Sequence, residues 1–355
     1  MTLPRQFQLG RPRLGAPKWV RLGRVSRARL ALFAGALFAV LFVVVGNLLI
    51  DQFRPDAVDR EYVHRLELLR DREAELPDSP LLLMVGSSRM VMGFAPERLA
   101  PLADPDGRPV LAFNFAHFGS GPVMDCILVN RLYRDGVRPH WVVLELMPGF
   151  FPRENARLVA SLCTFDDVIS CSRYLPPGEL GWEFFRHRTA GFPAFAQRAT
   201  RPEPNVTPYG PLGGYGLMKE SVTPQERAFE MAGQANHFAW GMRDWKASKW
   251  ADRAVRDSVA ECRAHGANVW LVLSPEGGDH RKMYGPGGYD RVTAYMTQLA
   301  AELDVPFTDA RDWLEESDFA DSHHALRSGA EKFTDRLRTE VLVPLVSSGG
   351  LANHR

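Results

Sequence analysis

Five short runs of mostly apolar residues constrain this chain more than any other feature. They are Leu81-Leu82-Leu83-Met84-Val85, Val110-Leu111-Ala112-Phe113-Asn114-Phe115, Trp141-Val142-Val143-Leu144-Glu145-Leu146, Asn268-Val269-Trp270-Leu271-Val272-Leu273 and the shorter Val305-Pro306-Phe307-Thr308-Asp309. The first four lack the apolar–polar alternation of a strand with one wet face. Helical patterns separate them over Val123–Tyr133, Trp250–His265 and Tyr289–Leu303, and a last one, Gly329–Val343, follows the fifth run. Apolar strands alternating with helices predict an α/β fold with a mostly parallel sheet covered on both faces. At 355 residues, 45% apolar and 24% charged, the chain can build such a core.

A different element precedes this pattern. Leu30 to Ile50 is a 21-residue stretch without charge, and Asn47 is its one strongly polar residue. Roughly 20 helical residues cross the hydrocarbon core of a bilayer. Residues 1–29 hold eight basic side chains and no acidic one, whereas the rest of the chain holds 35 basic and 42 acidic, a net of −7. That asymmetry predicts a transmembrane helix over 30–50, a cytoplasmic basic tail over 1–29 and an exported body. It also argues against a nucleic-acid partner for the body. A cleaved signal peptide is the rival, but the run exceeds the roughly 7–15 residues of a signal core and no small-x-small site follows it. Residues 51–77 are highly charged, with Val63, Leu66, Leu68 and Leu69 near helical spacing. Val58–Leu76 therefore reads as an amphipathic helix, either a stalk or a first helix packed on the domain.

Between about 150 and 245 the strand–helix order lapses into an insertion rich in Pro, Gly and aromatics. It is expected to hold some helix (Leu180–Arg188, Pro224–Gly233) and long loops, which in compact domains often serve as lids or binding loops. Asn205-Val206-Thr207 fits a glycosylation sequon. The main domain is expected over 78–345, with a flexible tail over 346–355. Of the four cysteines, Cys163 and Cys171 are close enough in sequence to close a small disulfide loop outside the cytoplasm; the alternative is four buried thiols. No phosphate-binding glycine loop and no metal-ligand spacing is visible, so neither a cofactor nor a metal is expected.

Chemistry is suggested by two distant segments. Ser88 follows the first strand in Gly86-Ser87-Ser88-Arg89-Met90, and Asp321-Ser322-His323-His324 lies near the C-terminus. A serine hydroxyl is a weak nucleophile until a base takes its proton, and an imidazole oriented by a carboxylate is such a base. Ser88, His324 and Asp321 thus form a candidate triad, with His323 as the rival to His324. Acyl transfer also needs donors for an oxyanion. The backbone N–H of Ser88 is one candidate and that of Gly119, just after the second strand, is another. Arg89, His117 and Glu276, near strand C-terminal ends, are candidate substrate contacts.

These residues resemble a family, the SGNH (GDSL-like) hydrolases, over roughly residues 80–345. Gly86-Ser87-Ser88 is similar to the first family block, with Ser87 where the family usually has Asp. Asn114 to Gly119 resembles the second block, which supplies the oxyanion-hole glycine. Asp321-Ser322-His323-His324 with Ala325-Leu326-Arg327-Ser328-Gly329-Ala330 resembles the last block and favours His324 over His323. The third block departs: the family's Gly-x-Asn-Asp is replaced by Glu145-Leu146-Met147-Pro148, so the usual oxyanion Asn is missing. The resemblance implies a three-layer flavodoxin-like fold and a Ser-His-Asp esterase or O-acyltransferase. With the anchor, it looks like the membrane-bound members that act on envelope polymers, as in alginate O-acetylation or D-alanyl transfer. The implied partners are the membrane, a cell-surface glycan or related polymer, and a multi-span acyltransferase that supplies the acyl group. The alternative is a catalytically weak or inactive SGNH-like partner in a complex for polymer modification or export.

Overall fold

The computed structural model of the protein describes residues 24–99, 102–201 and 208–348. The Asn205-Val206-Thr207 sequon, most of the basic tail and residues 349–355 lie outside them. The chain divides after Gly46 into two units. The first unit contains most of helix α1 (Arg24–Phe53), which is long and apolar enough to cross a membrane, as a signal sequence near an N-terminus also is.

The second unit is built on five parallel strands: β1 (Leu81–Val85), β2 (Leu111–Asn114), β3 (Trp141–Glu145), β4 (Asn268–Leu273) and β5 (Phe307–Asp309), in the order β2-β1-β3-β4-β5. This is the doubly wound order of flavodoxin-like sheets. The pleat divides the apolar runs between two cores. Leu81, Leu83, Val85, Val142, Leu144, Leu271 and Leu273 face one cluster, while Leu82, Met84, Trp141, Val143 and Val272 face the other. Strands β1 to β4 therefore need apolar residues at consecutive positions.

Helix α2 (Arg60–Glu75) starts at the N-cap Asp59, whose side chain accepts a hydrogen bond from Tyr62 N at 3.0 Å. Tyr62, Leu66 and Leu69 are buried in the first core, so residues 51–77 are not a free stalk. Their apolar stripe, about 1.5–3 kcal/mol per buried large side chain, explains why this charged helix lies on the domain. After β1 comes the short α3 (Ser88–Gly93), and after β2 comes α4 (Pro122–Arg134). Between β3 and β4 the insertion is more helical than expected. It contains α5 (Ala156–Leu162), α6 (Phe165–Cys171), α7 (Glu179–Ala190), α8 (Phe192–Thr200) and α9 (Pro224–Arg243), and then α10 (Lys249–Ala264) returns to the sheet. Side-chain caps at Asn155, Thr164 and Thr223 start three of these helices inside a stretch whose Pro and Gly content suggests loop.

The remaining helices are α11 (Gly278–Arg281), α12 (Gly288–Leu303), α13 (Arg327–Leu337) and α14 (Val343–Ser348), the last two joined by a π-helical turn. Val346 is buried in the second core, so the tail is packed at least that far. All four cysteines are free and buried, and the Cys163–Cys171 bridge is not formed. Their place inside the helical packing accounts for the buried-thiol alternative.

Candidate active site

The C-terminal ends of all five strands converge on one edge of the sheet, where open α/β sheets place ligands. Ser88 follows β1, Gly119 follows β2, Glu145 ends β3, Glu276 follows β4, and the Asp321–His324 loop follows β5.

Ser88 is the first residue of α3. Ser87 is the N-cap, and its hydroxyl accepts from Arg89 N at 3.2 Å. The Ser88 Oγ stands 2.9 Å from His324 Nε2, and His324 Nδ1 stands 2.7 Å from Asp321 Oδ2. The other Asp321 oxygen accepts the backbone N–H groups of His323 at 3.1 Å and His324 at 2.6 Å. Burial favours a neutral Asp321 carboxyl, but the His324 ring and these N–H groups outweigh it and hold its pKa below the ordinary carboxylate value. The loop is pinned on both sides. Ala320 N donates to His324 O at 2.8 Å, and Ser322, at a left-handed φ of 64°, places its hydroxyl between His280 N and Glu316 Oε2.

His323 is turned to a different task. Its Nδ1 accepts from Arg89 Nε at 3.0 Å. Arg89 also donates to Glu276 Oε1 from Nη1 at 3.0 Å and from Nη2 at 3.1 Å, and its Nη2 lies 2.8 Å from His280 Nε2. Arg89 and Glu276, the candidate substrate contacts, are 3% and 0% exposed. They form a buried ion pair beneath the Asp321–His324 loop. His117, the third candidate contact, faces α2. It is buried, with Nε2 3.5 Å from Asp59 Oδ1 and from Glu61 Oε2. Through these contacts, and through Arg65 donating to Ala116 O, α2 braces the loop that carries Gly119.

Gly119 has φ +72°, and a Cβ there would meet Leu158 Cδ2 at 2.4 Å, so only glycine fits. Gly119 lines a cleft of about 330 Å³ with Ser88, Phe150, Gln234, Phe238 and His324. The backbone N–H groups of Ser88 and Gly119 have no hydrogen-bond partner among the described residues. The segment Glu145-Leu146-Met147-Pro148 has a structural use that the sequence does not reveal. Glu145 is buried and accepts from Ser87 N at 2.6 Å and from the Ser274 hydroxyl, which ties β1, β3 and β4 together beside Ser88. Gly86 allows this approach, since a Cβ there would lie 2.5 Å from Glu145 Cβ. The one available signal was a lone carboxylate closing the apolar run Trp141–Leu144. Asn114 is likewise structural: its amide donates to Met90 O at 2.9 Å and Phe94 O at 3.0 Å.

His117 gives the domain a pH dependence. Burial opposes its charge, but Glu61 and Asp59 outweigh burial and raise its pKa to about 9. A histidine whose folded pKa is raised stabilises fully below its unfolded pKa of about 6.5, and that contribution is lost as pH rises through about 9. The pKa values of His64, His187 and His280 are lowered, chiefly by burial, so these groups charge below that window. The thermal midpoint is expected to fall between about pH 6.5 and 9, by up to about 3 kcal/mol of stability, and His117→Gln is expected to flatten that slope. A wild-type midpoint that stays flat over this window contradicts the assignment.

This chain resembles several solved structures, two of which follow. One is TesA, at 15% identity and TM-score 0.37, over 75% of this chain and 99% of that one. The other is a variant of an acetyl-xylooligosaccharide esterase from Geobacillus, at 12% identity and TM-score 0.35, over 74% of this chain and 93% of that one. No family model and no curated protein sequence matches.

Proposed function

We propose that the protein is a serine esterase or O-acyltransferase of SGNH type. The observation that carries this reading is the continuous chain from Asp321 through His324 to Ser88, at 2.7 and 2.9 Å. Ser88 Oγ attacks the carbonyl carbon of an ester, its proton passes to His324 Nε2, and the carbonyl π electrons move onto oxygen. The backbone N–H groups of Ser88 and Gly119 donate to that oxyanion. The intermediate collapses, the ester C–O bond breaks, and His324 returns the proton to the departing alkoxide. Water or a sugar hydroxyl then attacks the acyl-Ser88 ester by the same steps in reverse, giving hydrolysis or transfer. Asp321 stays ionised, fixes the His324 tautomer and stabilises the imidazolium.

The location and substrate follow from the same reading. The apolar helix α1 with its basic N-terminal side anchors the chain in a plasma membrane, N-terminus in the cytoplasm and the site exported. The substrates are acyl esters, acetyl above all, of a cell-surface polysaccharide or related polymer. Turnover of an activated acetyl ester by the full chain in detergent, lost in Ser88→Ala, tests the chemistry. Washing membranes with high salt tests the anchor: full-length protein should stay until detergent is added, and release by salt alone would sink it.

A further inference from the structure

Gln234, on the insertion helix α9, is 8% exposed and lines the cleft that holds Ser88, Gly119 and His324. Its two polar atoms are in unlike states. Oε1 lies 3.4 Å from His280 Nδ1, whereas Nε2 is closed to solvent and has no hydrogen-bond partner among the described residues. The amide orientation follows from its neighbours. Arg89 has only donors, so the His280 Nε2 it approaches at 2.8 Å must accept. His280 Nδ1 then carries the ring proton, and burial, with the Arg89 charge beside it, pushes the His280 pKa well down and keeps the ring neutral. A protonated Nδ1 needs an acceptor, so it faces Gln234 Oε1 and leaves the NH₂ end unpaired.

A buried amide N–H left without a partner is destabilising. Such orphans call for an account, and a ligand that supplies the missing acceptor is one. We infer that Gln234 Nε2 is a side-chain donor to the oxyanion, completing with the backbone N–H groups of Ser88 and Gly119 a three-donor hole that the insertion supplies. This rests on the acyl-transfer reading above. Because Gln234 lines the same cleft as Ser88 and His324, the partner its Nε2 gains is an oxygen that enters with the substrate. The Arg89–His280 pair acts behind it, holding the carboxamide so that Nε2 rather than Oε1 is the free end.

Gln234→Glu separates this role from simple support of His280. It keeps an oxygen for His280 Nδ1–H and replaces the free donor with a carboxylate oxygen. In the full chain, with an activated acetyl ester, kcat should fall by about 10²–10³-fold, the loss typical of one oxyanion donor, with little change in KM. Part of the loss should return as the pH is lowered and the new carboxyl regains an O–H. Gln234→Met, similar in length but without a donor, should lose as much kcat without that acid recovery, and it decides the matter if the Glu variant fails to fold. A wild-type rate in either folded variant overturns the inference while the wild-type enzyme still turns over. Absence of turnover and of fluorophosphonate labelling of Ser88 in the wild-type protein overturns this inference together with the acyl-transfer reading.

Discussion

Ser88→Ala should lower kcat for an activated acetyl ester by about 10⁵–10⁶-fold and leave the thermal midpoint within about 2 °C of wild type. The rate falls because Ser88 supplies both the bond-forming oxygen and the proton that His324 accepts. The fold survives because the hydroxyl's one partner among the described residues is His324 Nε2, and the loop around it is held by Glu145 and Ser87 instead. His324→Ala should cost about as much, and the double variant little more than either single one, because residues acting as one unit are not additive. Asp321→Asn should cost about 10⁴-fold through the wrong His324 tautomer. Additive losses, or an active Ser88→Ala, would place the chemistry elsewhere.

Arg131→Ala should destabilise the domain by about 3–5 kcal/mol without touching the cleft. Arg131 is 2% exposed and joins α2 to α6. It donates to Asp59 Oδ2 at 2.7 Å, to Asp167 Oδ2 at 2.7 and 3.1 Å, and to Leu162 O at 2.5 Å. Burial favours neutral Asp59 and Asp167, yet His117 and Arg131 at the first, and Arg131 at the second, hold both carboxyls below their ordinary range. Removing the guanidinium leaves buried carboxylates short of a counter-charge, which is the costly half of breaking a buried pair. For a domain of this size the loss corresponds to a midpoint lower by about 6–15 °C. Neutralising one acid, in Arg131→Ala with Asp167→Asn, should recover part of it. Acid should also narrow the gap to wild type, because the freed carboxyls protonate at higher pH than before. A midpoint within about 2 °C of wild type for Arg131→Ala contradicts this account.

The sheet was legible in the sequence because parallel strands bury both faces, so runs such as Leu81–Val85 carry no competing polar signal. The juxtaposition of Ser88, His324 and Asp321 was legible because a serine ends the first strand and a carboxylate stands three residues before an imidazole. The buried polar residues were not. Arg89, Glu276 and His117 read as candidate substrate contacts near strand ends, since nothing local reveals that a partner 187 or more residues away neutralises Arg89. Glu145 looked like a defect in the third block because its partners, Ser87 and Ser274, arrive from two other strands. Gln234 could not be found at all. Its role depends on which atom of its amide His280 occupies, and that is decided by Arg89 on a different element. The stretch 150–245 looked loop-like because its Pro and Gly sit at helix boundaries, as with Pro224 just after the Thr223 cap.

The central claim is that Ser88 is a nucleophile made reactive by His324. The most direct measurement is reaction of the full-length protein with a fluorophosphonate, followed by peptide mass mapping of the adduct. The account predicts one adduct, on Ser88, formed far more slowly in His324→Ala. An unlabelled Ser88 in folded wild-type protein, or labelling at the same rate without His324, would contradict it.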